Sequence, residues 1–226
     1  MNAAIPTPQQ ISRIKFALFA LSLIPLMYLG LRGWQDDLGA NPIEFSQRYL
    51  GTWTLNFLLL TLAVTPLRRL TGWHWLIRLR RMVGLFAFFY ASLHLLNWLV
   101  LDQFFDWRSM VLDIVKRPYI TVGFSAFVLL IPLAATSTNA MVRRLGGRRW
   151  QNLHRMVYPI AVLGVFHYWW LVKKDVTGPL VYGLILALLL GVRAFWREQE
   201  RRRQINAGRM QTAPVARVIR FDPRRK

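Results

Sequence analysis

Long apolar runs separated by short polar segments dominate the pattern along this chain. Six of the runs reach the about 17–25 residues that a helix needs to cross a bilayer. They cover residues 16–33, 51–67, 82–101, 119–136, 156–172 and 180–196. The runs lack the alternation of a barrel strand, and an open sheet cannot satisfy its backbone in lipid. The pattern therefore predicts an all-α, polytopic membrane protein, a bundle of six transmembrane helices.

Polar segments flank and interrupt this predicted transmembrane domain, which covers residues 13–196. The segment 1–12 is polar and contains two prolines, so it predicts a loose start. The basic segment 197–226 predicts a tail without apolar periodicity, too short for a nucleotide-binding domain. Between the third and fourth runs, residues 107–116 carry apolar side chains at helical spacing. This spacing predicts an amphipathic helix on the outer surface, serving as a surface cover or as a dock for a soluble partner.

The charge of the 226-residue chain is strongly positive, with 30 Lys and Arg against 10 Asp and Glu and a net charge of +20. Most of the basic residues fall in four segments on one side of the predicted bundle: the N-terminal segment, 68–81, 139–155 and the tail from residue 193. Such an asymmetry is typical of cytoplasmic loops, so it predicts that both termini are cytoplasmic. It also accounts for the charge without nucleic-acid binding, and a basic tail of this kind more often lies near anionic lipid.

The chain contains no cysteine, which excludes disulfides, iron–sulfur clusters held by thiolates and covalently attached haem. A redox centre would therefore be non-covalent and held by histidine, methionine, tyrosine or the backbone. No paired Asp or Glu falls within the apolar runs, so the sequence gives no sign of a hydrolase site or a proton relay.

Two histidines lie within apolar runs at matching positions, His94 in the third run and His167 in the fifth. The interval along the chain from Arg81 to His94 equals the interval from His154 to His167. At a rise of about 1.5 Å per residue, both histidines reach about 20 Å from the cytoplasmic boundary. We interpret them as the two axial ligands of a haem iron. The alternative is two unrelated polar residues, each hydrogen-bonded to a neighbouring helix. His74, between two tryptophans, fits an interfacial residue better than a ligand.

His154 lies at the entrance of the fifth run, near the depth of Arg80 and Arg81. On a straight helix it would not share a face with His167, unless Pro159 bends the helix. It is a candidate to ligate metal with a non-histidine partner, or to contact a flavin or quinone together with the two arginines. Capping of the helix entrance is the structural alternative.

Three segments of the chain resemble the MsrQ (YedZ) family, the haem-binding membrane subunits of the periplasmic methionine sulfoxide reductase system. They are residues 117–123 (RPYITVG), 133–139 (LAATSTN) and 144–158 (RLGGRRWQNLHRMVY). The similarity covers about residues 10–200. Its most specific part is the segment WQNLHR, which contains His154, together with the interval from there to His167. The broader group is the ferric reductase-like transmembrane domain, shared with eukaryotic NADPH oxidases.

The resemblance implies a b-type haem in a multi-pass protein of the bacterial inner membrane, an electron-transfer subunit rather than the catalytic subunit. The partner implied is MsrP, a periplasmic molybdopterin enzyme that reduces methionine sulfoxide in oxidised proteins. Electrons would come from the quinone pool or a cytoplasmic flavin reductase, and FMN is associated with some members. The histidines of the family fall on His94, His154 and His167. Because the third run has one histidine where the wider domain has two, the number of haems stays open between one and two.

Two other functions fit the same pattern. One is a stand-alone transmembrane ferric or quinone reductase without a protein partner. The other is a membrane protein without redox function, such as a transporter or an assembly factor, which would be colourless when purified.

Overall fold

The computed structural model describes residues 6–212, and over this range the chain is helical without any strand. The helices are α1 (Pro8–Trp34), α2 (Pro42–Thr71), α3 (Ile77–Asn97), α4 (Trp107–Lys116), α5 (Pro118–Ala135), α6 (Asn139–Leu145), α7 (Gly147–His154), α8 (Val157–Leu171) and α9 (Thr177–Thr212). A 3₁₀ turn, His74–Leu76, precedes α3, and a π-helical turn, Trp98–Asp102, follows it. The prediction of an all-α polytopic membrane protein is confirmed.

Within the described range 6–212, five helices are long and apolar enough to cross a membrane by length and composition. They are Pro8–Trp34, Pro42–Thr71, His74–Asp102, Pro118–Ala135 and Thr177–Ala207. The remaining predicted span, residues 156–172, forms the 15-residue helix α8, which is shorter than the about 17 residues that a span usually needs. The count of six spans and the cytoplasmic side of the termini stay predictions.

The ends of the chain are more helical than their polar composition indicates. The prediction of a loose start through residue 12 is wrong for residues 8–12, because α1 begins at Pro8. Thr7 accepts a hydrogen bond from the Gln10 backbone N–H, and the Gln10 side chain accepts one from the Thr7 backbone N–H. This reciprocal capping box, followed by a proline in the first turn, starts a helix well. At the other end α9 continues to Thr212, and the rest of the predicted tail lies outside the described residues.

Two compact units divide the chain, one up to Leu189 and the other from Leu190. In the first unit α2 packs along α3 and α5 packs along α8, while α2 also contacts α8 and α3 contacts α5. Four helices therefore surround a central space, and α1 packs outside α2 and α3. In the second unit, the carboxylate of Glu198 accepts hydrogen bonds from Arg201 and Arg202 along the helix.

An aromatic cluster fixes how α3 is rotated against its neighbours. Tyr90 is fully buried, and its hydroxyl donates to the backbone carbonyl of Ser22 on α1 at 2.7 Å. Its ring stacks on Phe57 of α2 with centroids 5.2 Å apart. Because residues four apart lie on one face of a helix, this anchor also sets the direction of His94, one turn further along α3.

The helical path between α7 and α8 is interrupted just before Pro159. Proline has no backbone N–H, so it cannot donate to the carbonyl of Arg155 four residues earlier. That carbonyl instead accepts from the N–H of Tyr158 at 3.1 Å, and a turn at Arg155 and Met156 separates the two helices. His154 and His167 therefore do not lie on one straight helix.

The predicted amphipathic helix within residues 107–116 is confirmed as α4. Asp106 caps it by accepting from the backbone N–H groups of Arg108 and Ser109. Met110 is buried, whereas Trp107 and Val115 are exposed. The helix packs against α5, and its placement on the membrane surface stays a prediction.

Candidate functional site

A cavity of about 1100 Å³ lies between α2, α3, α5 and α8 in the first unit. Part of its wall is apolar and includes Leu55, Leu58 and Ile160. The end where α2 and α5 begin and α8 ends is charged. Its basic residues are Arg48, Arg117, Lys173 and Lys174, and the acidic residues Glu44, Asp102 and Asp175 line the cavity as well. An apolar chamber with charges at one end suits an amphiphilic ligand whose polar groups stay at the entrance.

His94 and His167 both line this cavity, with ring centroids 6.2 Å apart and ring planes at 79°. The predicted proximity of the two imidazoles is confirmed. A metal–imidazole bond is about 2 Å long, so two rings that share one metal ion have centroids about 6 Å apart. The observed separation therefore matches that of a pair of ligands to one metal ion.

Both histidines are held through the same ring nitrogen. His94 Nδ1 lies 2.9 Å from the backbone carbonyl of Gln47, and His167 Nδ1 lies 2.6 Å from that of Tyr119. A carbonyl only accepts hydrogen bonds, so Nδ1 carries the proton in both rings and Nε2 carries the lone pair. A ligating histidine characteristically donates its other N–H to a backbone carbonyl or carboxylate. The arrangement places the lone pair on Nε2 in both rings.

A polar network connects His94 to the start of α2. The Gln47 side-chain nitrogen lies 3.4 Å from His94 Nε2, and its amide oxygen accepts from Asn97 at 2.8 Å. Asn97 in turn accepts from the hydroxyl of Ser46 at 2.9 Å. Sequence reasoning missed these three residues. The signal that could have found Asn97 is a polar side chain inside a predicted span, one turn from His94.

The donor set of the cavity fits a haem better than a bare metal ion. Two imidazoles complete the two axial positions of a haem iron, whereas a structural metal ion usually takes four or more protein ligands. Within residues 6–212 no group of three or more His, Asp or Glu side chains is placed to hold a metal ion. The cavity also joins apolar walls to basic side chains, which match the apolar ring and the two carboxylates of a haem.

His154 has other surroundings and is not among the residues that line the cavity. Its Nε2 lies 3.0 Å from Thr136 Oγ1, and its ring stacks on Trp150. Burial, together with the positive charges of Arg80 and Arg81, lowers the pKa of His154 to about 4. Its imidazole is therefore neutral near pH 7. Since Nε2 is engaged, Nδ1 is the atom left for a ligand, and a metal at His154 stays a prediction.

His74 lies exposed in the 3₁₀ turn before α3. It is flanked by Trp73 and Trp75, whose rings stack with centroids 6.0 Å apart. The role of His74 as an interfacial residue stays a prediction.

Comparison with known proteins identifies the family. The model of the ferric reductase like transmembrane component matches residues 49–165. A relative from Herminiimonas arsenicoxydans is 61% identical over 87% of this chain and 91% of its own length. Relatives from Azospira oryzae (58% identical, 87% and 83% covered) and Bordetella pertussis (55%, 88% and 98%) are also similar. All three are named protein-methionine-sulfoxide reductase heme-binding subunit MsrQ. The chain thus belongs to the MsrQ family and contains its ferric reductase-like transmembrane component.

Proposed function

We propose that the chain is a haem b-containing electron-transfer subunit of the bacterial inner membrane. It takes electrons from the quinone pool or a flavin donor and passes them to a periplasmic molybdopterin reductase of the MsrP type, which repairs oxidised proteins. The observation that carries the proposal is the His94–His167 pair, with centroids 6.2 Å apart and both Nδ1 atoms bonded to backbone carbonyls. The name shared by the MsrQ relatives supports the same function.

His94 and His167 bind the haem through Nε2 in this proposal. A bound haem would supply a one-electron redox centre in a medium of low dielectric. The Nδ1–H bonds to Gln47 and Tyr119 fix both rings and make Nε2 a stronger electron donor. Lys173 and Lys174 at the charged end of the cavity would pair with the haem carboxylates. Arg117 at the same end already forms an ion pair with Asp113.

We assign the electron-donor side to His154, Arg80 and Arg81. The two arginines act on His154 closely enough to lower its pKa, so positive charge is concentrated beside a neutral imidazole. Such a surface suits the phosphate of FMN, a quinone oxygen or an acidic flavin reductase. FMN, a quinone and a second haem ligated by His154 are all proposals about this region.

The proposed function is tested by quantifying haem and flavin in the same purified sample, together with histidine variants. His94→Ala and His167→Ala should each lose most of the haem absorbance, whereas His74→Ala should keep it. Colourless wild-type protein, or an equal effect of His74→Ala, would contradict the proposal.

A second experiment separates the partner-dependent function from a stand-alone reductase. Reduced protein is mixed with soluble MsrP or with a ferric chelate, and the reoxidation of its absorbance is followed. We expect transfer to MsrP. Transfer to the chelate alone would instead favour the stand-alone ferric reductase, which the match to the ferric reductase like component makes the natural alternative.

A further inference from the structure

Two glycines face the two histidines of the cavity. A Cβ atom added to Gly51 on α2 would lie 3.0 Å from Cε1 and 3.2 Å from Nδ1 of His94. A Cβ atom on Gly123 of α5 would lie 2.7 Å from Nδ1 and 2.8 Å from Cε1 of His167. The distances at Gly123 are shorter than real Cβ contacts allow, and those at Gly51 are at the limit of such contacts. An alanine at either position would therefore press on the imidazole.

The glycines and the carbonyls that hold the histidines have the same spacing. Gln47 precedes Gly51 by four residues, and Tyr119 precedes Gly123 by four residues. In an α-helix the carbonyl of residue i accepts the N–H of residue i+4, whose Cβ leans back towards that carbonyl. Without a Cβ, the second lone pair of the carbonyl is open to a donor from a neighbouring helix. Both imidazoles use this opening, with Nδ1 at 2.9 Å and 2.6 Å from the carbonyl oxygen.

The pair α2 and α3 and the pair α5 and α8 thus hold their histidines in the same way, although their sequences differ. α3 presents His94 to the first turns of α2, and α8 presents His167 to the first turns of α5. Each histidine lies close to the end of its own helix, which is Asn97 for α3 and Leu171 for α8. The same contact between an imidazole and a helix carbonyl therefore occurs on both sides of the cavity.

We propose that Gln47–Gly51 and Tyr119–Gly123 are two equivalent imidazole holders, in which the glycines are positioning residues. Each glycine lets its histidine reach the carbonyl, which sets the ring rotation and keeps the proton on Nδ1. Both Nε2 atoms then serve one metal. The inference deepens the proposed bis-histidine ligation and rests on it for its functional meaning.

A double-mutant cycle on the full-length protein without haem tests the contact itself. Gly123→Ala is made in the wild-type protein and in the His167→Ala variant. Gly51→Ala is made in the wild-type protein and in the His94→Ala variant. Thermal unfolding of each protein is measured in detergent. We expect each glycine substitution to lower Tm when its histidine is present and to have little effect when the ring is gone. Equal decreases in both backgrounds would overturn the proposal.

Gly84→Ala is the matched control for the cycle. Gly84 is a helical glycine of the same bundle, and a Cβ there would lie 3.7 Å from the nearest atom of Thr61, an ordinary contact. Its effect on Tm should not depend on His94 or His167.

The haem-loaded protein provides a readout that a merely structural glycine would not change. Because the Nδ1–H bond strengthens Nε2 as a donor and so favours ferric iron, weakening it should raise the midpoint potential. Gly51→Ala, the milder substitution, should raise the potential and shift the low-spin ferric EPR g values, or lose haem outright, whereas Gly84→Ala should do neither. A haem-loaded Gly51→Ala protein with the wild-type potential and spectrum would refute the positioning role.

If wild-type protein binds no haem, the proposed function fails, while the double-mutant cycle still tests the glycine–imidazole contact.

Discussion

The imidazole of His154 and the indole of Trp150 are stacked, with ring centroids 3.9 Å apart and planes at 25°. Both rings contact Thr136, the C-cap residue of α5. The indole N–H of Trp150 donates to the carbonyl of Thr136 at 2.9 Å, and Thr136 Oγ1 lies 3.0 Å from His154 Nε2. This closed set of contacts fastens α7 to α5. His154 therefore has a structural role whether or not it also contacts a cofactor.

Thr136→Val should destabilise the protein by about 1–3 kcal/mol, because it removes the hydroxyl and leaves the half-buried Nε2 of His154 without that partner. The measurement is thermal unfolding in detergent. Thr61→Val is the matched control, since the Thr61 hydroxyl is buried but donates only to the carbonyl of Phe57 in its own helix. If the control lost as much stability as Thr136→Val, the contact to His154 would not be the cause.

His154→Ala should show whether haem binding at His94 and His167 depends on His154. The variant is expected to keep most of the haem absorbance, because His94 and His167 do not depend on α7 for their hydrogen bonds. Reduction by a flavin or quinone donor should become slower. Absorbance and reduction rate are measured on the same sample. A loss of about half the haem would instead assign a second haem to His154.

The sequence indicates the histidine pair because helical rise is a local property. Counting the same interval from each basic boundary brings His94 and His167 to one level, and the structure brings their rings to 6.2 Å. Gln47 could not be placed in the same way, because the apolar run begins only at residue 51. The helix that carries it begins at Pro42, where Asn41 caps the backbone and a proline fits the first turn. Hydropathy finds the part of a helix suited to lipid and not its end.

The glycine–imidazole contacts and the short length of α8 could not be predicted from the sequence, for related reasons. Whether Gly51 or Gly123 faces an imidazole depends on how two helices are rotated against each other, and anchors such as Tyr90 to Ser22 decide that rotation. The start of α8 depends on the carbonyl that Pro159 leaves without its usual donor. Neither feature appears as a periodicity in the sequence.

Helix α4 should lose its N-terminal cap in acid. Hydrogen bonds from the hydroxyl and N–H of Ser109 hold the pKa of Asp106 below its usual value of about 4. A carboxyl with a lowered folded-state pKa stabilises the helix above its unfolded pKa, and this contribution is lost as the pH falls through the folded pKa. Hydrogen exchange of the first-turn amides of α4 should therefore speed up as the pH drops below about 4, after correction for the intrinsic pH dependence. Asp106→Asn should not show the step, and a step of the same size in that variant would exclude Asp106 as its origin.

Gln47→Leu should raise the haem affinity of the protein. In the structure the Gln47 side-chain nitrogen is 3.4 Å from His94 Nε2, so the amide competes for the lone pair that the proposed ligation needs. A neutral hydrogen bond is worth about 1 kcal/mol, which corresponds to an affinity change of about fivefold. The backbone carbonyl of Gln47 is retained, so the hydrogen bond to His94 Nδ1 survives the substitution.

Haem titration followed by absorbance measures the change in affinity. Thr52→Val is the control, because the Thr52 hydroxyl donates to the carbonyl of Arg48 in its own helix. Weaker binding in Gln47→Leu but not in the control would show that the amide supports the loaded site instead of competing with it.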